Sequence, residues 1–334
     1  MTMSHIKISR SIKSNLQHSK NLLAFSAGVD SSALFFLLLE QNIPFDIALV
    51  NYNLRENAQK EELHAIKLAK KHNLKCYTTQ APSFNNNFEK NARDFRYAFF
   101  DRLMMEHAYD NLLTAHQLND QLEWFLMRLT KGAGTSELLG LEEISKRKTY
   151  QIVRPLLHQS KDELLNYLHH YSYPYFIDES NRDEKYERNR FRKDFSDKLL
   201  AEHQEGIKRS FDYLREDKRN LFAGYKEVFY YKEMYVLNYQ KDYLIIRLVD
   251  KYLKILGYLL SGNQRKELEK ESSIVFGGLW AVEIRDHSIY IAPYLKTSMP
   301  KKFKEACRRV KVPSKIRAYL YQEELNPKEL LKLF

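Results

Sequence analysis

One short segment of the chain carries the residue types that can hold a phosphate group. Most of its residues are small or bear a hydroxyl: Ser26, Ala27, Gly28, Val29, Asp30, Ser31 and Ser32. An apolar run ends just before it at Phe25 and another begins just after it at Ala33, which predicts a loop between a buried strand and a helix. Such a loop directs several backbone N–H groups at one point, where the helix dipole also favours an anion. Asp30 could there hold a Mg²⁺ ion that bridges phosphate oxygens.

The order of these residues distinguishes the loop from the commonest phosphate-binding motif. No Gly-Lys-Ser/Thr follows it, so the segment is not a Walker A loop. It resembles instead the PP-loop, Ser-Gly-Gly-x-Asp-Ser, of enzymes that split ATP into AMP and pyrophosphate. Ala27 stands where that pattern has its first glycine, and alanine is strained there if the position needs a positive φ. The alternative is an ordinary strand-to-helix turn capped by a serine.

A second group of chemically capable residues follows an apolar run at 111–115. His116, Asp120 and Glu123 are spaced by four and three residues, so a helix would bring an imidazole and two carboxylates to one face. Five apolar residues would occupy the opposite face: Leu118, Leu122, Phe125, Leu126 and Leu129. A pair of carboxylates beside a nucleotide site could bind a metal ion or a cationic substrate. The alternative is a solvated polar face on an amphipathic helix.

Arginines recur in two segments that could approach the same site. They are Arg93 and Arg96 in one segment, and Arg188, Arg190 and Arg192 in the other. Taken singly, each arginine could be a solvated surface residue or a member of a structural salt bridge. As a set they could neutralise a leaving pyrophosphate, because the guanidinium group is a rigid, forked donor.

The elements that must position these residues alternate between strand and helix. Strands are predicted at 21–26, 45–51, 75–79 and 111–115, and helices at 31–41, 57–72, 88–107, 117–130 and 161–170. This alternation predicts a Rossmann-like parallel sheet with helices on both faces, whose ligands bind beyond the carboxyl ends of the strands. Both candidate groups directly follow predicted strands, so we expect them at the same edge of the sheet.

The bulk properties favour an enzyme that acts on nucleic acid. The 334 residues suffice for two domains, and 44% of them are hydrophobic. The net charge of +11 favours a polyanionic partner. Cys76 and Cys307 form no metal-binding or redox spacing, so a reducing, cytoplasmic setting is expected. No apolar stretch has the length of a membrane span, and residues 1–20 lack the apolar region of a signal peptide.

The order of motifs along the chain resembles that of the tRNA(Ile)-lysidine synthetases. The phosphate loop is followed by Ala-His-x-x-x-Asp-x-x-Glu at 115–123, Gly-x-Gly at 132–134 and Arg-Pro-Leu-Leu at 154–157. Asp-x-Ser-Asn at 178–181 and Arg-Asn-x-x-Arg at 188–192 come next. The similarity covers residues 20–200, and a fainter one lies in the basic segment 311–317.

This resemblance implies an ATP-dependent ligase that acts on tRNA(Ile) with the anticodon CAU. In the family's reaction ATP adenylates O2 of the wobble cytidine, pyrophosphate leaves, and the ε-amine of free L-lysine displaces AMP at C2. The family's ATP loop carries over to residues 26–31, with Asp30 also holding Mg²⁺. Its catalytic contacts carry over to six residues: Asp30, Arg96, His116, Asp120, Glu123 and Arg188.

Three residues depart from the family pattern. Tyr52 stands where histidine is often found, Asn119 where many relatives have aspartate, and Trp124 where threonine is usual, so adenine or metal contacts could differ. Two other functions are left open: another tRNA-modifying PP-loop enzyme such as a thiolase, and a tRNA-binding relative without catalytic activity. Thiolation usually requires a pair of cysteines, which Cys76 and Cys307 do not form.

The chain is predicted to contain a catalytic and an RNA-binding domain. Residues 1–204 form the predicted PP-loop domain, 205–225 a helical connector, and 226–334 a smaller mixed α+β domain. Within the last, 226–238 and 277–294 have strand character and 247–261 is apolar and helical. Basic stretches at 301–304 and 308–311 alternate with aromatic residues, which suits contact with tRNA. The alternative is a solvated basic face on a structural domain. A homodimer is left open.

Overall fold

The structure, a computed structural model, describes residues 6–53, 58–84, 86–147, 149–177 and 187–329. The motif at 178–181 therefore lies outside the described residues. The chain divides into two compact units, Met1–Arg215 and Glu216–Phe334. The division falls within one long helix, Asp197–Leu221, which overlaps the segment 205–225 where a connector is predicted. Each unit has a sheet of its own.

The first unit is built on a six-stranded, mostly parallel sheet. Its strands are β1 (Asn21–Ala24), β2 (Asp46–Asn51), β3 (Cys76–Gln80), β4 (Asn111–Leu113), β5 (Ile144–Lys146) and β6 (Gln151–Val153), in the order β3-β2-β1-β4-β6-β5. Only β5, at one edge, runs antiparallel to its neighbour. The parallel sheet inferred from the sequence is confirmed, and β5 and β6 are additions that the apolar pattern did not predict.

Helices cover both faces of this sheet. In chain order they are α1 (Arg10–Gln17), α2 (Val29–Glu40), α3 (Ala58–Lys71), α4 (Phe88–Glu106), α5 (Leu118–Leu129), α6 (Thr135–Leu138), α7 (Lys161–His170), α8 (Glu187–Phe191) and α9 (Asp197–Leu221), with a π-helical turn at Arg192–Ser196. Neighbouring strand residues point to opposite faces. Leu23 accordingly packs into the core with α2 and α7, while Leu22 packs with α4. Both leucines are fully buried, as expected for a strand covered on both sides.

The strand order decides where a ligand can bind. Strands β1 and β4 are hydrogen-bonded neighbours, and they are followed by the loop before α2 and the loop before α5 respectively. The chain order reverses between these strands, since β2 and β3 lie beyond β1 on the side away from β4. Open α/β sheets bind ligands at such a reversal, beyond the carboxyl ends of the strands. The phosphate loop and the segment that carries His116, Asp120 and Glu123 meet at this reversal.

The second unit contains a five-stranded antiparallel sheet and short helices. Its strands are β7 (Tyr225–Tyr231), β8 (Met234–Tyr239), β9 (Ser273–Phe276), β10 (Trp280–Arg285) and β11 (Ser288–Pro293), in the order β7-β8-β11-β10-β9. Its helices are α10 (Leu244–Ile255), α11 (Gly262–Leu268), α12 (Lys301–Arg309) and α13 (Arg317–Gln322), with a 3₁₀ turn at Ser314–Ile316. The mixed α+β class predicted for this region is confirmed.

Both faces of the second sheet are buried. Leu237 packs with α10 on one face, whereas Val236 packs with Cys307 and Ile316 on the other. Strand β8 therefore has few exposed positions and lacks the alternation of apolar and polar residues that marks a half-buried strand. Across the described parts of both units, no helix combines the length and the apolar character needed to cross a membrane.

Candidate active site

The phosphate-binding loop leaves the start of α2 open. Gly28 is the N-cap of the helix, and no side chain caps it. The hydroxyls of Ser26 and Ser31 instead lie 3.1 Å apart, and Ser31 Oγ also donates to the Gly28 carbonyl at 3.2 Å. An ordinary turn capped by serine is therefore the wrong description of this loop. At a helix start without a side-chain cap, the first N–H groups have no partner within the helix, which suits an anion.

Ala27 adopts the backbone conformation that glycine would adopt with least strain. Its φ is +59°, and its side chain is fully buried in the core of the first unit. Its carbonyl accepts a hydrogen bond of 2.9 Å from the backbone N–H of Phe176. A left-handed conformation costs a residue with a Cβ atom about 1–2 kcal/mol. The surrounding contacts therefore hold the loop in a strained conformation.

Asp30 is the carboxylate of this loop, and no described residue forms an ion pair with it, although the charges of Lys161 and Arg192 act on it. Its Oδ1 atom is buried without a hydrogen bond to any described residue. Burial, followed by the charge of Asp120, raises the pKa of Asp30 to about 7. A buried, unpartnered carboxylate oxygen is a suitable ligand for Mg²⁺, which proteins often bind with one or two carboxylates and substrate phosphates. No described residues form a ready-made cage of three or more His, Cys, Asp or Glu side chains.

Helix α5 begins with a cap that positions Asp120. The Gln117 side chain accepts from the N–H of Asn119 at 2.6 Å, and Asp120 Oδ2 accepts from the N–H of Gln117 at 2.9 Å. This capping box leaves Asp120 Oδ1 for other contacts. His116 precedes the helix, so the expectation that it shares a helical face with the carboxylates is wrong. Its Nδ1 atom instead lies 2.9 Å from Thr114 Oγ1.

Asp120 and Glu123 lie together, and two arginines contact both of them. Arg188 Nε donates to Glu123 Oε2 at 2.8 Å, and its Nη2 atom donates to Asp120 Oδ1. Arg192 Nε donates to Glu123 Oε1 at 2.5 Å, and its Nη2 atom lies 3.7 Å from Asp120 Oδ1. Glu123 is fully buried. The carboxylate pair is thus neutralised by guanidinium groups.

The environments of these groups push their pKa values in different directions. Burial favours the neutral form of Asp120, but Arg188, His116, the N–H of Gln117 and Arg192 outweigh it and lower its pKa. Burial and the charge of Asp120 raise the pKa of Glu123 against the opposing effect of the arginines. Burial lowers the pKa of His116 to about 4, so its imidazole is neutral at neutral pH. When two neighbouring carboxyl groups have pKa values shifted in opposite directions, the one with the raised pKa is often the proton acceptor and the other stays charged.

One cavity of about 1020 Å³ brings most of the predicted site residues together. Its volume is at the upper end for a ligand site. Nine predicted residues line it: Ser26, Gly28, Val29, Asp30, Ser31, Arg96, His116, Asp120 and Arg188. Two do not, because Ala27 is buried beneath the loop and Glu123 lies beneath the two arginines. Arg93, considered with Arg96 from the sequence, also lies outside the lining.

The cavity also contains Arg192, which the sequence offered only as one of several arginines that could neutralise pyrophosphate, and three residues to which no role was assigned: Lys161, Lys193 and Asp197. The spacing of Arg188 and Arg192 by one helical turn was the available signal, because residues four apart share a helical face. No sequence pattern pointed to Lys161, because it is the first residue of α7 and has no spacing relationship to the other candidate site residues.

The three departures from the family pattern have structural contacts. Asn119 Nδ2 donates to Asp197 Oδ1 at 2.9 Å, and its Oδ1 accepts from the backbone N–H of Lys161 at 3.1 Å. Trp124 Nε1 donates to the Glu137 carbonyl at 2.7 Å. Tyr52 lines the cavity, and its hydroxyl donates to the Ala92 carbonyl at 3.2 Å. Asn119 and Trp124 thus connect α5 to neighbouring segments, whereas Tyr52 is placed to touch a ligand.

Comparisons with known proteins agree with this geometry. Residues 2–199 match the sequence family described as the PP-loop domain. The chain is 45% identical to the tRNA(Ile)-lysidine synthase of Campylobacter jejuni over 96% of this chain and 98% of that protein. It is 43% identical to the corresponding enzyme of Wolinella succinogenes over 93% of this chain and 95% of that protein. The enzyme of Helicobacter pylori is 42% identical over 93% and 92% of the two chains.

Solved structures show a more distant similarity. The U34-tRNA thiolase NcsA of Methanococcus maripaludis has a TM-score of 0.49 and 18% identity, and the match covers 63% of this chain and 75% of that one.

Proposed function

This chain belongs to the tRNA(Ile)-lysidine synthases of the PP-loop family, and on that premise we propose which of its residues carry out each step of the reaction. The enzyme is an ATP-dependent ligase that forms a carbon–nitrogen bond between free L-lysine and C2 of the wobble cytidine in tRNA(Ile). Family membership sets aside the alternatives of a thiolase and of an inert tRNA-binding relative.

One observation carries the assignment of residues. The open start of α2 and Asp120 of the buried carboxylate pair meet at one cavity, at the ends of two adjacent parallel strands, and Glu123 lies directly beneath the two arginines that line it. A triphosphate on the loop and an ammonium group on the carboxylates would therefore both face the space between them. A cytidine base placed there is in reach of both partners of the reaction.

In the first step, residues 26–31 bind the triphosphate of ATP. Cytidine O2 attacks the α-phosphorus, a P–O bond forms, and the bond to the β-phosphate breaks to release pyrophosphate. Asp30 would hold Mg²⁺, which when bound supplies charge stabilisation to the phosphate oxygens. Lys161 lines the same cavity, and its positive charge opposes the rise in the pKa of Asp30, which supports a role for it beside the phosphates. Arg96 also lines the cavity and adds a guanidinium group.

In the second step, the carboxylate pair binds the ε-ammonium group of lysine. Arg188 and Arg192 occupy those carboxylates in the free protein, so at least one guanidinium must move away. An arginine released in this way is free to contact phosphate oxygens. The exchange couples lysine binding to neutralisation of the leaving group.

The two carboxylates have different roles in that step. Asp120 keeps its charge because its pKa is lowered, so it holds the ammonium group. Glu123 accepts the proton as the amine attacks C2, because burial raises its pKa. The new C–N bond replaces the C2–O2 bond, and AMP leaves with the oxygen. Neutral His116, which is hydrogen-bonded to Thr114, would help to position Asp120.

The second unit is assigned to tRNA binding. Helix α12 exposes five basic side chains while Cys307 is buried beneath it: Lys301, Lys302, Lys304, Arg308 and Arg309. Phe303 packs against Tyr321 with ring centroids 5.1 Å apart, so this aromatic residue serves packing and not base stacking. Arg317 donates to the Val312 carbonyl and is likewise structural. The exposed helix therefore suits phosphate contacts.

The domain boundary, the setting and the assembly are further parts of the proposal. Residues 1–204 carry catalysis, 205–225 connect, and 226–334 bind tRNA. The cysteines are free thiols, which is compatible with a reducing cytoplasm. A homodimer stays a hypothesis, which light scattering of the purified protein tests.

The assignment of function is tested by mass spectrometry of anticodon nucleosides. The protein is incubated with ATP, Mg²⁺, isotope-labelled lysine and total tRNA, and the RNA is digested to nucleosides. The expected product is a cytidine that has gained one labelled lysine, with release of AMP and pyrophosphate. A thio-nucleoside, or pyrophosphate release that does not depend on lysine, contradicts the assignment.

A further inference from the structure

A cluster of two arginines and one tyrosine lies beside the catalytic cavity. Tyr97, on α4, lines the cavity and is half-buried. The Arg93 Cζ atom lies 5.2 Å from the centroid of its ring, and the Arg147 Cζ atom lies 5.6 Å from the same centroid. Both arginines are exposed. Arg93, Tyr97 and Arg147 together are called the arginine–tyrosine surface.

Two separate elements of the first unit supply the residues of this surface. Arg93 and Tyr97 are four residues apart on α4, which brings them to one face of the helix. Arg147 directly follows β5, and its backbone N–H donates to the Tyr150 carbonyl at 2.8 Å. Arg154 supports this region from the interior, since its Nη1 atom donates to the Glu142 carbonyl and to Ser145 Oγ. Two guanidinium groups from distant parts of the sequence thus meet on one ring.

The chemistry of this surface suits phosphate groups. A guanidinium group that lies against an aromatic ring is partly ordered, and its N–H edges stay available for two parallel hydrogen bonds. Within the described residues, neither Arg93 nor Arg147 forms an ion pair, and each guanidinium group lies against the Tyr97 ring instead. Both guanidinium groups are therefore ready to bind an external anion without first breaking a salt bridge.

The location decides which anion is expected. The wobble base must enter the cavity to reach the α-phosphorus, while its own backbone phosphates stay outside. Tyr97 belongs to the cavity lining and the two arginines lie on its exposed side. Sequence-specific RNA enzymes commonly bind single-stranded loops with splayed bases, using aromatic and arginine side chains.

We propose that the arginine–tyrosine surface binds the backbone phosphates of the anticodon nucleotides that flank the wobble cytidine. The inference rests on the proposed function and adds the RNA-docking residues of the catalytic unit. Arg93 and Arg147 are binding residues that contact phosphate, and neither touches the reacting atoms. Their contribution is therefore to RNA affinity and not to the chemical step.

The test measures RNA binding by the full-length protein. The variants Arg93→Gln, Arg147→Gln and the double variant are titrated with a fluorescent anticodon stem-loop at several salt concentrations. Each single change is expected to weaken binding about ten-fold and to reduce the slope of log K against log salt by about 0.7, the value for one single-strand phosphate contact. The double variant loses about twice that slope. Affinity for ATP stays within about two-fold, because neither arginine lines the cavity.

A matched control lies on the same helix. Arg102 is exposed and its Cζ atom lies 5.5 Å from the Phe99 ring, but it is nine residues beyond Arg93 and therefore on the opposite side of α4. Arg102→Gln is expected to leave RNA affinity and slope unchanged. Unchanged RNA binding in the double variant, or an equal loss of ATP and RNA binding, overturns the inference.

The lysidine assay separates this inference from the proposed function. If the unmodified protein forms lysidine and the double variant has the same KM for RNA, the surface is wrongly assigned while the function stands. If the unmodified protein forms no lysidine, the function itself fails. An acidic protein that binds the surface and does not compete with the stem-loop also overturns the inference.

Discussion

Replacing Asp30 with asparagine should stabilise the free protein while abolishing its activity. The Oδ1 atom of Asp30 is buried without a hydrogen bond to any described residue, so the ionised carboxylate is costly before a cation binds. Asparagine has nearly the same shape and carries no charge. The substitution therefore removes a cost to folding and, at the same time, the proposed ligand for Mg²⁺.

The size of this effect follows from the pKa of Asp30 and depends on pH. Folding raises that pKa from 3.8 to about 7, so the folded state binds more protons than the unfolded state between these values. The ionised carboxylate therefore lowers stability increasingly as pH rises from about 4 to about 7, and by a constant amount above that. At about 1.4 kcal/mol per pH unit the full cost is about 4 kcal/mol.

The expected gain is smaller than that cost, because the new amide leaves an N–H group unpaired. That group costs about 1 kcal/mol. Asp30→Asn should therefore raise the free energy of unfolding by about 3 kcal/mol at pH 8 and by about 1 kcal/mol or less at pH 5. Mg²⁺ with ATP should stabilise the unmodified protein and should have little effect on the variant.

Urea unfolding in the presence of a chelator measures this difference. The chain has two tryptophans, Trp124 in the first unit and Trp280 in the second. In a Trp280→Phe background the fluorescence reports only the first unit, which separates its unfolding from that of the second. A variant that is less stable than its parent at pH 8, or a gain that is the same at pH 5 and pH 8, refutes the reasoning.

Three further substitutions test other parts of the site. Glu123→Gln should raise the KM for lysine by ten-fold or more, because a charge-assisted contact is worth about 1.5–3 kcal/mol. The KM for tRNA should change by less than about two-fold. Equal changes in both constants would indicate a misfolded helix. Asn119→Asp should lower the free energy of unfolding by about 1–2 kcal/mol, because the variant loses the hydrogen bond to Asp197. In a double-mutant cycle, adding Asp197→Asn should restore most of that loss. Additive losses would contradict this pairing. Ala27→Gly should change the free energy of unfolding by less than about 1 kcal/mol in urea titrations, since relief of strain is offset by a lost buried methyl group and by a more flexible unfolded chain. A gain above about 2 kcal/mol would mean that the buried methyl contributes nothing.

The central part of the fold was predictable because its strands are distinct in the sequence. β1, β2 and β4 each contain an apolar run, polar residues come shortly after each strand ends, and the helices between them have clear amphipathic or apolar patterns. Prediction was poorer where strands are short or polar. β5 has three residues with little burial, and its pairing with β6 depends on contacts that no local pattern shows.

The sequence indicated which residue types form the site, but not which arginines contact which carboxylates. The sequence offers Arg188, Arg190 and Arg192 without indicating which of them turn inward. In the structure Arg188 and Arg192 contact the carboxylates, one helical turn apart, while Arg190 is exposed. Glu123 lies 69 residues before Arg192, so this contact depends on how the whole unit packs. His116 was placed on the helix because spacing alone does not show that the capping box starts α5 after it.

The most direct test of the central claim is the release of pyrophosphate by the folded Asp30→Asn variant. The complete mixture contains ATP, Mg²⁺, lysine and tRNA(Ile), and the unmodified protein should release pyrophosphate and AMP in equal amounts to the lysidine formed. The variant should keep its fold and release no pyrophosphate above background. Undiminished release by the variant would show that ATP is cleaved somewhere other than at the loop between β1 and α2.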